Sequence, residues 1–355
     1  MSIRDQSRAF CERFQIRIPI LLAPMAGASA PSLSIAVANA GGLGACGALL
    51  MPPEEIMHWA ATVRASSNGG FQLNLWIPDP PPIRDVAHEK KVRSFLAGWG
   101  PEVPPSAGDP ALPNFSAQCD ALIEASPRAV SSVMGVYPRE YVARLKGSGI
   151  AWFAIASTVA EARIAEAAGA DVIVAQGMEA GGHRASFEAA SAERELVGLF
   201  SLLPAVVDAV NLPVVATGGI ADGRGVAAAF ALGASAVQIG TGFLRCPEAQ
   251  IHPAWAEVIG RTAPEETVIS RVFSGRAGRS IATAYVRAAM SEGAPSPAPY
   301  PAQRNLTAPM RRAAGEAGDV ERMQAWAGQS AALARVEPAG ELAKRLWDEA
   351  QRIIV

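Results

Sequence analysis

The chain has 355 residues, half of them hydrophobic and 18% charged, which is enough apolar material for one large core. Its net charge of −2 and isoelectric point near 6.2 exclude an electrostatic case for nucleic acid or an anionic membrane surface. The four cysteines, Cys11, Cys46, Cys119 and Cys246, have neither CxxC nor zinc spacing and read as reduced thiols of a cytoplasmic protein.

Residues 1–15 carry several charges and no apolar stretch, so no secretory signal is expected there. Two windows, Ile18–Pro53 and Gly225–Leu244, contain no charged residue. Glycines break both and prolines break the first, so each reads as a buried strand beside a small-residue helix rather than a membrane span. Short apolar runs then recur, separated by helix-like stretches. They are Ile20–Ala23, Gly42–Cys46, Phe71–Trp76, Val130–Val136, Ile150–Ala156, Val172–Ala175, Val214–Thr217 and Ala236–Ile239. Helices are expected at Leu33–Ala40, Pro53–Ala65, residues 83–97, Ala117–Ala125, Tyr137–Lys146, Thr158–Ala168, Leu196–Val210 and Gly225–Leu232. Ser157 or Thr158 would cap the helix that follows the fifth run. After Cys246 the rhythm breaks into prolines and a basic, glycine-bearing SGRAGRS segment. Further helices are expected at Met310–Gly315, Val320–Ala332 and Gly340–Ile354. Eight strands alternating with helices predict an α/β fold, a (β/α)8 TIM barrel of residues 1–246 and 320–355, with a smaller inserted second domain of residues 247–319 forming a cap. A doubly wound sheet is the alternative, but AGGLGACG sits before and within a strand and is a poor dinucleotide fingerprint.

Polar and glycine-rich residues collect where the strands end. Gly218 and Gly219 in TGGIADG follow the seventh run, and Gly240 and Thr241 in QIGTGF follow the eighth. In barrels these two loops often bind phosphate. A phosphate there, with a flat body over the barrel mouth, points to flavin mononucleotide (FMN). Ala23, Pro24 and Met25 of APMAG could lay backbone beside the flavin ring. Asn74 in FQLNLW and Gln176 at the end of the sixth run are polar residues at apolar strand positions and need partners. In DVIVAQGMEAGGHR, Gly181 and Gly182 allow close backbone approach, and His183 follows them. A histidine in such a loop is, taken alone, more often merely solvated. His58, His88, His183 and His252 lack ligand spacing, so no metal is expected.

As a set, PILLAPMAG, FQLNLW, AQGMEAGGHR, ATGGIADG and QIGTGFL resemble the nitronate monooxygenase family, once called 2-nitropropane dioxygenases, in residues and in order. AGGLG, VFSGRAGRS and the YPAQ–LTAPMR–WAGQ tail extend the resemblance from about Ile16 to Leu346. The resemblance implies a TIM barrel with non-covalent FMN held by Asn74, Gln176, Gly181, Gly219, Gln238, Gly240 and Thr241, and His183 as the catalytic residue. It implies FMN-dependent oxidation of alkyl nitronates by dioxygen to a carbonyl compound and nitrite. Nitronate and dioxygen are then the partners, with no nucleic acid and no membrane, and a homo-oligomer is compatible with it. Tyr300 of YPAQ is expected at the substrate pocket. Glu179 is the lesser alternative base, because a carboxylate would repel an anionic nitronate. Three departures, Leu22 for glutamine, Ala185 for glycine and Gly242 for arginine, bear on the substrate rather than on the flavin. The alternatives are an NAD(P)H-dependent quinone or enoyl-thioester reductase and, in another class, a non-catalytic flavin-binding protein.

Overall fold

The eight runs fold as parallel strands around one axis, in a computed structural model that describes residues 3–67, 69–109 and 112–354. The strands of the chain are β1 (Ile20–Leu22), β2 (Gly44–Gly47), β3 (Phe71–Trp76), β4 (Ala129–Val133), β5 (Ala151–Ala156), β6 (Val172–Gln176), β7 (Gly182–His183), β8 (Val214–Thr217), β9 (Ala236–Ile239), β10 (Thr267–Ser270) and β11 (Gly278–Ile281). The barrel order is β1-β9-β8-β6-β5-β4-β3-β2. The ring closes between β1 and Leu43, just before β2. There the Leu22 N–H donates to the Leu43 carbonyl at 2.9 Å and the Leu43 N–H to the Ile20 carbonyl at 3.1 Å. This is the (β/α)8 TIM barrel expected from the sequence. The fourth strand stops at Val133, earlier than the apolar run, because Met134 (φ 67°) and Gly135 (φ 147°) turn the chain.

Strands this short and apolar suit burial on both faces. Ile20, Leu22, Leu73, Leu75 and Ile173 pack outward beneath the helices. Leu21, Val133, Phe153, Val174 and Val215 pack inward. The helix Ile3–Phe14, absent from the sequence reading, drives Phe10 and Phe14 into that inner core, with the Phe14 ring edge-on to Phe153 at 4.9 Å. One end of the barrel is therefore sealed with apolar side chains. Toward the strand C-termini the inner face turns polar, with Asn74, Ser131, Gln176, Thr217 and Gln238 all buried. Local signals fix the outer helices. Pro31 starts one, and Gly41 (φ 105°) ends it in a left-handed cap. Thr158 and Glu161 form a reciprocal capping box on another. The last helix, Ala339–Ile353, packs between Pro31–Ala40 and Gly223–Ala231 and completes the outer ring.

A second apolar core, including Val272, Phe273, Tyr285, Leu306 and Met310, stands over the strand C-termini and also takes Val92, Leu96 and Val103 from the segment after β3. Its sheet is antiparallel, β10-β11-β7, so a strand of the barrel's own sixth loop is its third member. The expected helix Val320–Ala332 does not form. Its backbone is drawn to other partners, with the Gly328 N–H donating to Thr241 Oγ1 at 3.0 Å and the Gln329 N–H to the Glu179 carbonyl at 2.9 Å. Tertiary hydrogen bonds thus override an alanine-rich local preference. Among the described residues no helix is long and apolar enough to cross a membrane.

Candidate active site

A cavity of about 410 Å³ opens at the C-terminal ends of the strands. Ala23, Pro24 and Met25 border it from the end of β1, Asn74 from β3 and Gln176 from β6. The loop with Gly181, Gly182 and His183 forms another part of the wall, and Gly218, Gly219, Gln238, Gly240 and Thr241 a further part. Tyr300 is not among the lining residues. Its ring packs against Trp76 at 5.3 Å, one layer behind the wall, and burial raises its hydroxyl to about 12. Among the described residues no aspartate or glutamate lines the cavity, and the formal charges on its wall are the guanidinium groups of Arg304 and Arg311. A more open hollow at Arg17, Asn39 and Arg64 lies away from the strand C-termini and contains none of the motif residues.

His183 is held from several directions. β7 pairs it with Gly278 of β11. Its Nε2 lies 2.7 Å from Ser274 Oγ, and Ser274 is fully buried. Trp76 meets the imidazole edge-on at 4.6 Å, and Trp326 meets it at 4.8 Å. Burial, together with the positive charges of Arg276, Arg304 and Arg311, pushes its pKa down to about 3. The ring is therefore neutral throughout the physiological range. Neutral imidazole keeps one N–H and one lone pair, so it can donate one hydrogen bond and accept another.

Gln176 acts on the same loop. Its Nε2 donates to the His183 carbonyl at 3.1 Å, and its Oε1 accepts the Ala185 N–H at 2.9 Å. Asn74 donates to Ser131 Oγ at 3.0 Å. Both polar strand-end residues thus have partners in the protein itself. Glu179 spends its two oxygens on the Leu199 N–H, at 2.9 and 3.0 Å, at the start of the helix Leu199–Val207, and does not line the cavity. Arg184 is buried behind the loop and donates to the Gly177 carbonyl at 2.8 Å.

The glycines have specific jobs. Gly218 (φ 108°) and Gly219 (φ 71°) occupy backbone conformations that side chains rarely adopt. A Cβ on Gly181 would lie 2.5 Å from the Gly328 nitrogen, so only glycine lets the tail segment cross there. Ser330 then ties that segment to the rim by donating to the Gly219 carbonyl at 2.5 Å.

Sequence reasoning assigned no site role to Trp76, Met134, Ser274, Arg304, Arg311 or Trp326, all of which line the cavity. Trp76 was findable, since strand alternation puts it on the same face as Asn74. The others lie in a strand-end turn, in the second domain or in the tail segment, and carry no local pattern. Among the described residues no group of histidine, cysteine, aspartate and glutamate could hold a metal.

The chain matches the nitronate monooxygenase family model over residues 7–349. A nitronate monooxygenase of Pseudomonas aeruginosa is 37% identical, over 96% of this chain and 98% of that protein. A nitronate monooxygenase of Paraburkholderia phytofirmans is also 37% identical, over 100% of this chain and 98% of that one. Among solved structures, the nitroalkane oxidase of Streptomyces ansochromogenes superimposes with a TM-score of 0.89 at 35% identity, covering 97% of this chain and 98% of its own. FabK of Thermotoga maritima is more distant, with a TM-score of 0.75 at 30% identity over 98% and 96% of the two chains. With a family match over almost its whole length and relatives matched nearly end to end, the chain belongs to the nitronate monooxygenase family.

Proposed function

We propose that this oxidoreductase oxidises small alkyl nitronates with dioxygen, giving a carbonyl compound and nitrite, and that its flavin is FMN. The observation that carries the reading is an acid-free cavity at the strand C-termini with a neutral, enclosed His183 on its wall. The residues present fit FMN. Within the described residues no backbone hydrogen bond takes up the N–H groups of Gly218, Gly219, Gly240 or Thr241, which leaves donors for a phosphate at the ends of β8 and β9. The Ala23–Met25 turn and the glycine pair 181–182 give a wall of backbone and small residues suited to a flat ring.

Bound there, FMN would supply the redox chemistry, accepting electrons from the nitronate and passing them to dioxygen. The protein's part is to bind, orient and exclude water. His183 offers one ring nitrogen to the substrate while the contact with Ser274 fixes the other. Trp76 and Trp326 pack against the imidazole from two sides and limit its movement. Gln176 holds the backbone on both sides of Arg184, so the ring cannot drift from the cavity. The test is spectroscopic. Purified protein should show the absorbance of oxidised flavin, the released cofactor should be FMN, and ethyl nitronate should bleach it without oxygen. Bleaching by NADH and not by ethyl nitronate would overturn the assignment.

A further inference from the structure

Two positive charges line the cavity, and among the described residues no negative side chain lines it to meet them. Arg304 comes from the short helix Ala302–Leu306 of the second domain. No hydrogen bond or ion pair to another described residue engages its guanidinium. Arg311, from the helix Ala308–Ala317, has only neutral partners. It donates to Thr307 Oγ1 at 3.1 Å, to Gln324 Oε1 at 3.1 Å and to the Arg304 carbonyl at 2.7 Å. Those bonds hold its geometry but leave its charge uncompensated. Burial, and then the neighbouring Arg304, lower its pKa to about 10, so it is still charged at neutral pH. Elsewhere in this fold the opposite arrangement is seen, as where buried Arg276 is matched by Asp79 at 2.7 Å. Both side chains are half-buried, and a cation on a partly enclosed wall with no counter-charge is stabilised by a ligand that supplies one.

We propose that Arg304 and Arg311 form an anion-binding subsite that holds the nitronate oxygens beside His183 and selects the nitronate anion over the neutral nitroalkane. This rests on the nitronate reading above. The FMN phosphate is provided for separately, by the glycine N–H groups on β8 and β9, whereas these two cations belong to the second-domain wall. Their field reaches His183, because both oppose its protonation. The same field favours a delocalised negative charge against the ring, and a guanidinium fork matches a pair of oxygens. A neutral nitroalkane gains neither.

Arg304 is the cleaner probe, because Arg311 is also tied into the fold. The experiment uses flavin-loaded enzyme, ethyl nitronate and nitroethane as paired substrates, and nitrate as an inert planar oxyanion titrated by calorimetry. Arg304→Gln should lower kcat/KM for ethyl nitronate by roughly 10- to 100-fold, mainly through KM, as expected for losing a hydrogen bond to a charged group. The ethyl nitronate to nitroethane ratio should fall with it, and so should nitrate affinity, with flavin content unchanged. Arg304→Lys, which keeps the charge without the fork, should recover part of each. Nitrate binding that depends on Arg304 in an enzyme that turns over no nitronate would uphold the subsite and refute the substrate reading. An unchanged substrate ratio together with unchanged nitrate affinity would overturn the subsite.

Discussion

What His183 can do is decided by its neighbours more than by its own chemistry. Trp76, Trp326 and Ser274 surround the ring, and cations face it from the second domain. Such a ring is a hydrogen-bonding group and a weak base, not a switch that titrates near neutrality. Its replacement by asparagine should leave flavin bound, since the proposed phosphate donors are elsewhere, and should slow turnover by roughly 10²–10⁴-fold, the usual span for such groups. Steady-state kinetics beside flavin content would check this, and wild-type rates would remove His183 from the mechanism. A pH effect follows as well. The folded-state pKa, about 3, lies below the ordinary value of 6.5. Between those values the unfolded chain binds a proton that the folded chain refuses, so stability is lost as pH falls through that window. Thermal midpoints from pH 7 to pH 4 should therefore drop more steeply for wild type than for His183→Asn. Parallel slopes would show that the ring is not held neutral.

At the scale of elements, the N-terminal helix is a plug. Phe10 and Phe14 fill the sealed end of the barrel against Phe153, and Phe14 is almost wholly buried. Phe14→Ala removes a ring from a closed space and should cost about 3–5 kcal/mol. The expected result is a thermal midpoint lower by roughly 5 °C or more, with turnover at 25 °C retained because the cavity lies at the other end. An unchanged midpoint would mean that the helix is not part of the fold's cooperative core. This plug was not legible in the sequence, because Arg4, Asp5, Arg8, Glu12 and Arg13 mask a narrow apolar stripe. The strands were legible, because each is a short apolar run bounded by glycine, proline or a polar turn. The tail at 320–332 was misread as helix for the opposite reason, its local alanine content being overruled by bonds to Thr241 and Glu179. Candidate site residues divide the same way. Gly181, His183, Gly219 and Gly240 sit in compact motifs, whereas Ser274, Arg304, Arg311 and Trp326 reach the cavity only through the fold.

On the scale of the whole molecule, barrel and second domain share the site. The loop that carries His183 is a strand of the second domain's sheet, and the tail at 326–330 is stitched to the barrel rim. A further link joins the proline-rich segment after β3 to the SGRAGRS turn, where Asp79 accepts from buried Arg276 at 2.7 Å. The remaining contact of that guanidinium is with the Ser186 carbonyl at 3.5 Å, too long to replace a carboxylate. Asp79→Asn should therefore strand a buried charge. Asp79 is 28% exposed, so solvent tempers the loss, and about 1–3 kcal/mol is expected rather than the full cost of a buried pair. The damage should be local. Residues 77–85 have few buried anchors, Ile83 among them being almost fully exposed, so this segment should detach first. Limited proteolysis should cut the variant there faster than wild type, while hydrogen exchange in β4, β5 and β6 stays protected. Equal cleavage rates would show that the ion pair does not hold this segment. Faster cleavage with KM for ethyl nitronate raised and flavin content unchanged would show that the proline segment, through Trp76 at its base, shapes the substrate side of the cavity.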